Sequence, residues 1–178
     1  ITAGLRESFA ASGLDQHGYV EDYLALANGM LDSFLASRAG RSAEKPVALT
    51  LSFGDDKILV TPDDVLLESD GRKTYRKVST GKARSDDKDD IGVASLLLAA
   101  RAIDPSAQVE LVYLSDGNNS FLDRSAKQLD NSKNKVQGAI GRVRAGRFMA
   151  APSSFTCPNC PAFFLCGPLP TGALHKSF

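Results

Sequence analysis

The chain has 178 residues, 43% of them hydrophobic, which is enough for one sizeable core and predicts one domain with a small appendage. Lys+Arg and Asp+Glu number 21 each, so bulk charge excludes both a strongly basic nucleic-acid binder and an acidic disordered chain. No apolar run approaches the roughly 18 residues of a membrane-crossing helix, no basic–apolar–small leader opens the chain, and Ile1 in place of Met predicts a fragment or processed product.

Residues 1–17 carry Gly, Ser and Asp with little periodicity and predict an irregular lead-in. Val20, Tyr23, Leu24, Ala27, Leu31, Phe34 and Leu35 then fall at helical spacing, predicting a helix over 18–38. Residues 39–46 are polar, with Gly and Pro, and predict a loop. Val47, Leu49, Leu51 and Phe53 alternate with small or polar residues, the period of a half-buried strand. Gly54-Asp55-Asp56 predicts a hairpin turn, 58–60 a return strand, and 65–67 its continuation past a break at Pro62, which lacks an N–H. Asp70-Gly71 marks the next turn and 74–78 a third strand, ended by Thr80-Gly81-Lys82.

A hydrophilic loop over 83–90 leads into an Ala/Leu-rich, buried helix over 89–103, whose acidic first turn suits the helix dipole. Val109, Leu111, Tyr113 and Leu114 predict a fourth strand, 116–119 a turn, and 122–145 a long helix with Leu129, Val136, Ile140 and Val143 on one stripe. Gly146 caps that helix, and an irregular tail follows from Phe148. A three-strand meander, a helical crossover and a fourth strand imply an α/β core with a mixed central sheet flanked by helices. The domain is expected over 1–150, with 151–178 as a cysteine-bearing tail on the same domain.

All three cysteines fall in the last 22 residues, where Cys157, Cys160 and Cys166 spell C-x2-C-x5-C. A secreted disulfide scaffold would spread an even number along the chain, so the crowding points to a metal or cluster site in a reducing, cytoplasmic compartment. Two thiolates separated by two residues can reach one metal from a tight turn, and the third can fold back onto it. Three thiols are one ligand short of a closed zinc site or a 4Fe–4S cluster. The fourth is either His175, giving Cys3His zinc, or a cysteine upstream of Ile1.

The stretch ILVTPDDVLLESDGRKTYRKVSTGK (58–82) resembles the core of the PD-(D/E)XK nucleases of the RecB type, where a strand with a metal-binding Asp precedes a strand ending in DYKTGK. RFMAAPSSFTCPNCPAFFLC resembles the ending of the iron–sulfur version found in AddB-class helicase–nucleases and at the C-terminus of UvrD/Rep-like helicases. The resemblance covers residues 19 to 168 and implies a restriction-endonuclease-like core, a 4Fe–4S cluster on Cys157, Cys160 and Cys166 (zinc as alternative), and helicase motor domains as partners.

The departures from that family are chemical. Asp63 stands where its first strand Asp is expected, Thr50 at its Glu position, and Lys77 and Ser79 where the second Asp and the Lys belong. Ile91 and Ser95 replace its Gln and Tyr, and His17, its candidate helix His, precedes the predicted helix. Metal-assisted phosphodiester hydrolysis needs a hard cation on carboxylates, and a Lys at a ligand position repels it. Asp63, Lys77 and Ser79 are therefore relict positions, with no catalytic Mg²⁺ expected. Asp55-Asp56-Lys57 and Asp86-Asp87-Lys88 also spell D-x-K, but in turn or loop segments, and carry the alternative of an active nuclease with displaced ligands. Residues 124–147 hold seven Lys/Arg and one Asp. Arg142, Arg144 and Arg147, with Lys82, are the candidate contacts to single-stranded or junction DNA. A metal-stapled protein-interaction module is the third reading.

Overall fold

Two sheets, rather than one meander, organise the computed structural model, which describes residues 2–147 and Cys157. The elements are α1 (Thr2–Ala11), α2 (Val20–Ala36), β1 (Ser42–Glu44), β2 (Leu49–Phe53), β3 (Asp56–Val60), β4 (Asp64–Leu67), β5 (Lys73–Ser79), α3 (Ile91–Ile103), β6 (Gln108–Tyr113), β7 (Asn118–Phe121) and α4 (Ala126–Arg144). The larger sheet has the order β1-β4-β5-β6-β7, and β2 pairs with β3 in a separate hairpin. The fold is mixed α/β. The chain divides into two compact units, Ile1–Gln137 and Gly138–Phe178.

The hairpin forms because Leu49, Leu51 and Phe53 alternate inward from β2 while Thr50 and Ser52 face water. Each such buried side chain contributes roughly 1.5–3 kcal/mol. Gly54 takes a positive φ of 60° at the tight turn, which a Cβ would penalise. Val47 lies before the strand and is exposed, so the predicted alternation starts one pair too early. Pro62, fully buried, falls between β3 and β4, and the chain changes sheets there. The predicted continuation of one strand across Pro62 is corrected accordingly.

β4 and β5 pair antiparallel around the Asp70-Gly71 turn, and β5 and β6 pair parallel through the α3 crossover. That crossover is the mixed-sheet connection the element order predicts. α3 packs on both sheets, which explains the burial of its middle, Val93 to Leu97 with Ala99 and Ala100, while Ile91 and Ile103 at its ends are exposed. The Asp90 carboxylate caps its N-terminus, accepting from Gly92 N (2.8 Å) and Val93 N (3.0 Å).

Four further expectations are corrected. Residues 1–17 are not irregular throughout, since α1 occupies Thr2–Ala11. The 39–46 loop contains β1, paired with β4. The 116–119 turn already yields to β7 at Asn118. On α4, Val136 is buried but Val143 is largely exposed, so the apolar stripe ends short of it. Gly146 does cap the helix, at φ 62° with its N–H on Val143 O (3.0 Å).

Candidate functional site

The parallel register of β5 and β6 sets Lys77 beside Leu111 and Ser79 beside Tyr113. Alternation puts these four on the sheet face that α3 covers. A cavity of about 480 Å³ opens there, floored by Val93, Leu111 and Tyr113 and edged by Lys77, Ser79, Lys82, Arg84, Asp87 and Asp90. Three positions singled out in the sequence, Lys77, Ser79 and Lys82, thus share one cleft. The Gly81 N–H turns back onto Ser79 Oγ (3.1 Å), bending the chain so that Lys82 reaches the rim.

Asp63 meets the same strand from the chain just before β4. Its Oδ2 accepts from Val78 N (2.8 Å) and lies 3.0 Å from Lys77 Nζ. The Lys77 ammonium therefore pairs directly with the Asp63 carboxylate. The two side chains are 36% and 49% exposed, and such pairs contribute about 0–1 kcal/mol, too little to make stability the reason for the pairing. Among the described residues no group of three His, Cys, Asp or Glu is placed to hold a metal.

The acids of the cleft are engaged with protein. Asp87 Oδ2 accepts from Arg84 N (2.8 Å). Tyr113 is buried on the cavity floor; burial first, and then its hydrogen bond to Asp87 and the charges of Asp87 and Asp116, push the phenol up to about 12. At neutral pH it is a hydrogen-bond donor. Asp90 is the helix cap, and of the cations at the rim Lys77 is paired with Asp63 and Arg84 with Asp86 (3.2 Å).

On the opposite sheet face lies a network that sequence reasoning did not single out. The registers set Asp64 across from Arg76 and Arg76 across from Glu110, a minus–plus–minus row over β4, β5 and β6. All three are buried. Arg76 Nη1 donates to Asp64 Oδ2 (2.7 Å), and its Nε lies 2.9 Å from Glu110 Oε2. The Nε–H does not point at that oxygen, so this second contact is a charge contact rather than a hydrogen bond. Arg76 Nη2 also donates to Ser37 Oγ.

The segment after α2 completes the row. Arg38 clamps Asp64 with two bonds (3.0 and 2.6 Å), and Arg41 reaches Glu110 (3.1 Å) and Glu68 (3.3 Å). Thr74 donates to Glu68 (2.6 Å), and the Phe34 ring lies 4.3 Å from the Arg38 guanidinium carbon. Burial raises the Asp64 carboxyl, but the Arg38 and Arg76 bonds and charges outweigh it and hold it below the ordinary value. Arg38, Arg41 and Arg76 balance Asp64, Glu68 and Glu110, as buried charge requires.

The remaining sequence candidates do not converge on the cleft. Thr50 is exposed on β2, in the other sheet. Ser95 is buried and donates back to Ile91 O (2.7 Å). His17 precedes α2, accepts from Tyr19 N (3.2 Å) and packs with Tyr19 and Tyr23. Asp55 and Asp56 are at the β2–β3 turn, and the Asp86-Asp87 run serves Arg84 and Tyr113.

The basic segment divides by role. Arg124 and Lys135 tie the Asp87–Asp89 turn to the start of α4, with Arg124 Nη2 donating to Asp89 Oδ1 (2.8 Å) and Lys135 to Asp89 O. Arg142 and Arg144 are exposed in the last turn of α4, where cations suit the helix dipole, and Arg147 is exposed just beyond. Cys157 is half-buried, whereas Cys160, Cys166 and His175 lie outside the described residues. No described helix is long and apolar enough to cross a membrane. No family model matches the chain, and no curated protein does either.

Proposed function

We propose that this domain is a nuclease-like DNA-binding module of a helicase or helicase–nuclease, holding single-stranded or junction DNA without metal-dependent cleavage. The Lys77–Asp63 ion pair carries the reading. In the resembled family both positions bear metal-binding carboxylates, and here one side chain supplies the cation that the other would have bound. A monovalent ammonium cannot activate water as a divalent ion does. Phosphate contact needs no metal, and Lys77, Lys82 and Arg84 edge a concave cleft with an apolar floor. Arg142, Arg144 and Arg147 extend the same chemistry. The C-x2-C-x5-C spacing of Cys157, Cys160 and Cys166 supports a shared metal centre in the tail, a 4Fe–4S cluster or zinc.

The test is fluorescence anisotropy of a labelled single-stranded oligonucleotide against the whole chain over a range of salt, with a parallel incubation in Mg²⁺. Binding should weaken steeply with salt. Lys77→Ala with Lys82→Ala should flatten the log–log slope by about 0.7 for each phosphate no longer neutralised. The DNA should survive Mg²⁺ intact. Cleavage would favour the nuclease reading with displaced ligands, and no binding at low salt would favour a protein-interaction module.

A further inference from the structure

The cleft on the α3 face of the larger sheet combines three chemistries. Its volume of about 480 Å³ is room for about sixteen groups of a water's ~30 Å³ share, the bulk of one nucleoside rather than two. The floor is apolar, since Val93, Leu111 and Tyr113 are 5%, 3% and 5% exposed. Lys77 is neutralised by Asp63, and Arg84 by Asp86. Lys82 is the one cation of the lining without an ion-pair partner among the described residues. The turn after β5 therefore offers one free positive charge, enough for one backbone phosphate.

The start of α3 offers the opposite charge. Asp87 is spent within the protein, accepting from Arg84 N (2.8 Å) and from the Tyr113 phenol. Asp90 is only half used. Both bonds of its helix cap, from Gly92 N (2.8 Å) and Val93 N (3.0 Å), end on Oδ1, so Oδ2 is left as an acceptor in the lining of the cleft. A carboxylate oxygen repels phosphate and accepts from N–H groups. A groove that only tracks a backbone needs cations along its length and no apolar floor. A nucleotide, in contrast, presents an anionic phosphate, the apolar face of a base and, on cytosine, adenine and guanine, an amino group at the base edge. Thymine has no amine, and its N3–H lies between two carbonyl oxygens that a carboxylate repels.

We propose that the cleft takes one unstacked nucleotide of the bound strand, with its phosphate at Lys82, its base over Val93, Leu111 and Tyr113, and a base amine donating to Asp90 Oδ2. The domain then prefers amine-bearing bases to thymine. The proposal rests on the DNA-binding reading above and adds a base preference to it.

The test is anisotropy titration of labelled strands of about 12 nucleotides, all cytosine or all thymine, with the whole chain at neutral pH and low salt. The parent should bind the cytosine strand about fivefold more tightly, the low end of what a base-edge contact gives. Asp90→Asn keeps the cap, since Asn caps as well as Asp, but replaces the free acceptor with an NH2 donor that suits a thymine carbonyl. Its thermal midpoint should be parental, and its preference should vanish or turn to thymine. The ratio of the two affinities is the readout, because losing a negative charge strengthens both. Lys82→Ala should weaken both strands alike and keep the preference. Equal binding of the two strands by the parent, or an undiminished cytosine preference in Asp90→Asn, overturns the proposal and leaves DNA binding standing. A strand of abasic sites that the parent binds as tightly as the cytosine strand does the same, since the floor then holds no base. Binding of neither strand removes the DNA reading itself, and the proposal with it.

Discussion

Replacing Arg76 by Met should cost about 3 kcal/mol of stability. The guanidinium is fully buried and touches Asp64 at 2.7 Å, Glu110 at 2.9 Å and Ser37. Removing one partner of a buried ion pair typically costs about 3–5 kcal/mol, because a charge is left in a medium that solvates it poorly. Two features place this case at the lower end. Asp64 keeps both bonds from Arg38, and Glu110 keeps Arg41. Two arginines are nevertheless left with three carboxylates, so one negative charge goes uncompensated. Urea unfolding followed by circular dichroism should show the midpoint falling by about 1–3 M at unchanged slope, given the usual m-values. Arg76→Lys should lose nearly as much, since one ammonium cannot span both acids.

The same variant has a pH signature. The Asp64 carboxyl is depressed in the folded protein, so its contribution is present above the unfolded value of about 3.9 and disappears as pH falls through the folded value. The gap between parent and Arg76→Met should therefore narrow as pH drops below about 4. A loss under about 1 kcal/mol at neutral pH, the range of ordinary surface changes, would refute the reasoning. So would a gap that does not change with acid.

Tyr113 sits above the usual phenol value, so the parent should lose about 2–3 kcal/mol of stability between pH about 10 and 12 as the unfolded chain ionises first. Tyr113→Phe should remove that part of the alkaline slope; an unchanged slope would count against the buried, Asp87-bound phenol. Lys77→Ala should change stability by less than about 1 kcal/mol, because its pair with Asp63 is half exposed; a larger loss would make the pair structural. Changing Arg142, Arg144 and Arg147 together to Ala should weaken single-strand binding and flatten its salt dependence, and parental binding would remove them from the DNA interface. Metal analysis of anaerobically purified protein should find iron or zinc that Cys157→Ser with Cys160→Ser abolishes, and metal-free parent protein would end the cluster reading.

What the sequence disclosed follows from what periodicity measures. Leu49, Leu51 and Phe53 alternate strictly, and the strand is there. α3 is rich in Ala and Leu all round, and it is buried between two sheets. α1 escaped because Leu5 and Phe9 are its only large apolar residues of helical spacing, set among Gly, Ser and Ala. β1 and β7 have no hydrophobic pattern at all, since an edge strand of three or four residues is held by its neighbour's backbone. The cleft was partly legible through Lys77, Ser79 and Lys82, which a shared strand and turn bring together. The Asp64–Arg76–Glu110 row was not. Charge at a strand position reads as exposure until the register shows an opposite charge directly across from it on each side.

The position of the single parallel pair bears on how the chain folds. The β2–β3, β4–β5 and β6–β7 pairings join neighbouring strands across short connections and close little chain entropy. Joining β5 to β6 instead brings Thr74 to Gln108 with α3 between them, and it alone unites the halves of the larger sheet. Local hairpins should form within microseconds, and the crossover should set the slower overall rate. Glu110 meets Arg76 only at that step, so the arginine stays hydrated until the sheet closes. Docking of the two halves and dehydration of the charge row are then one event, and a refolding barrier located there would rise with every substitution that unbalances the row.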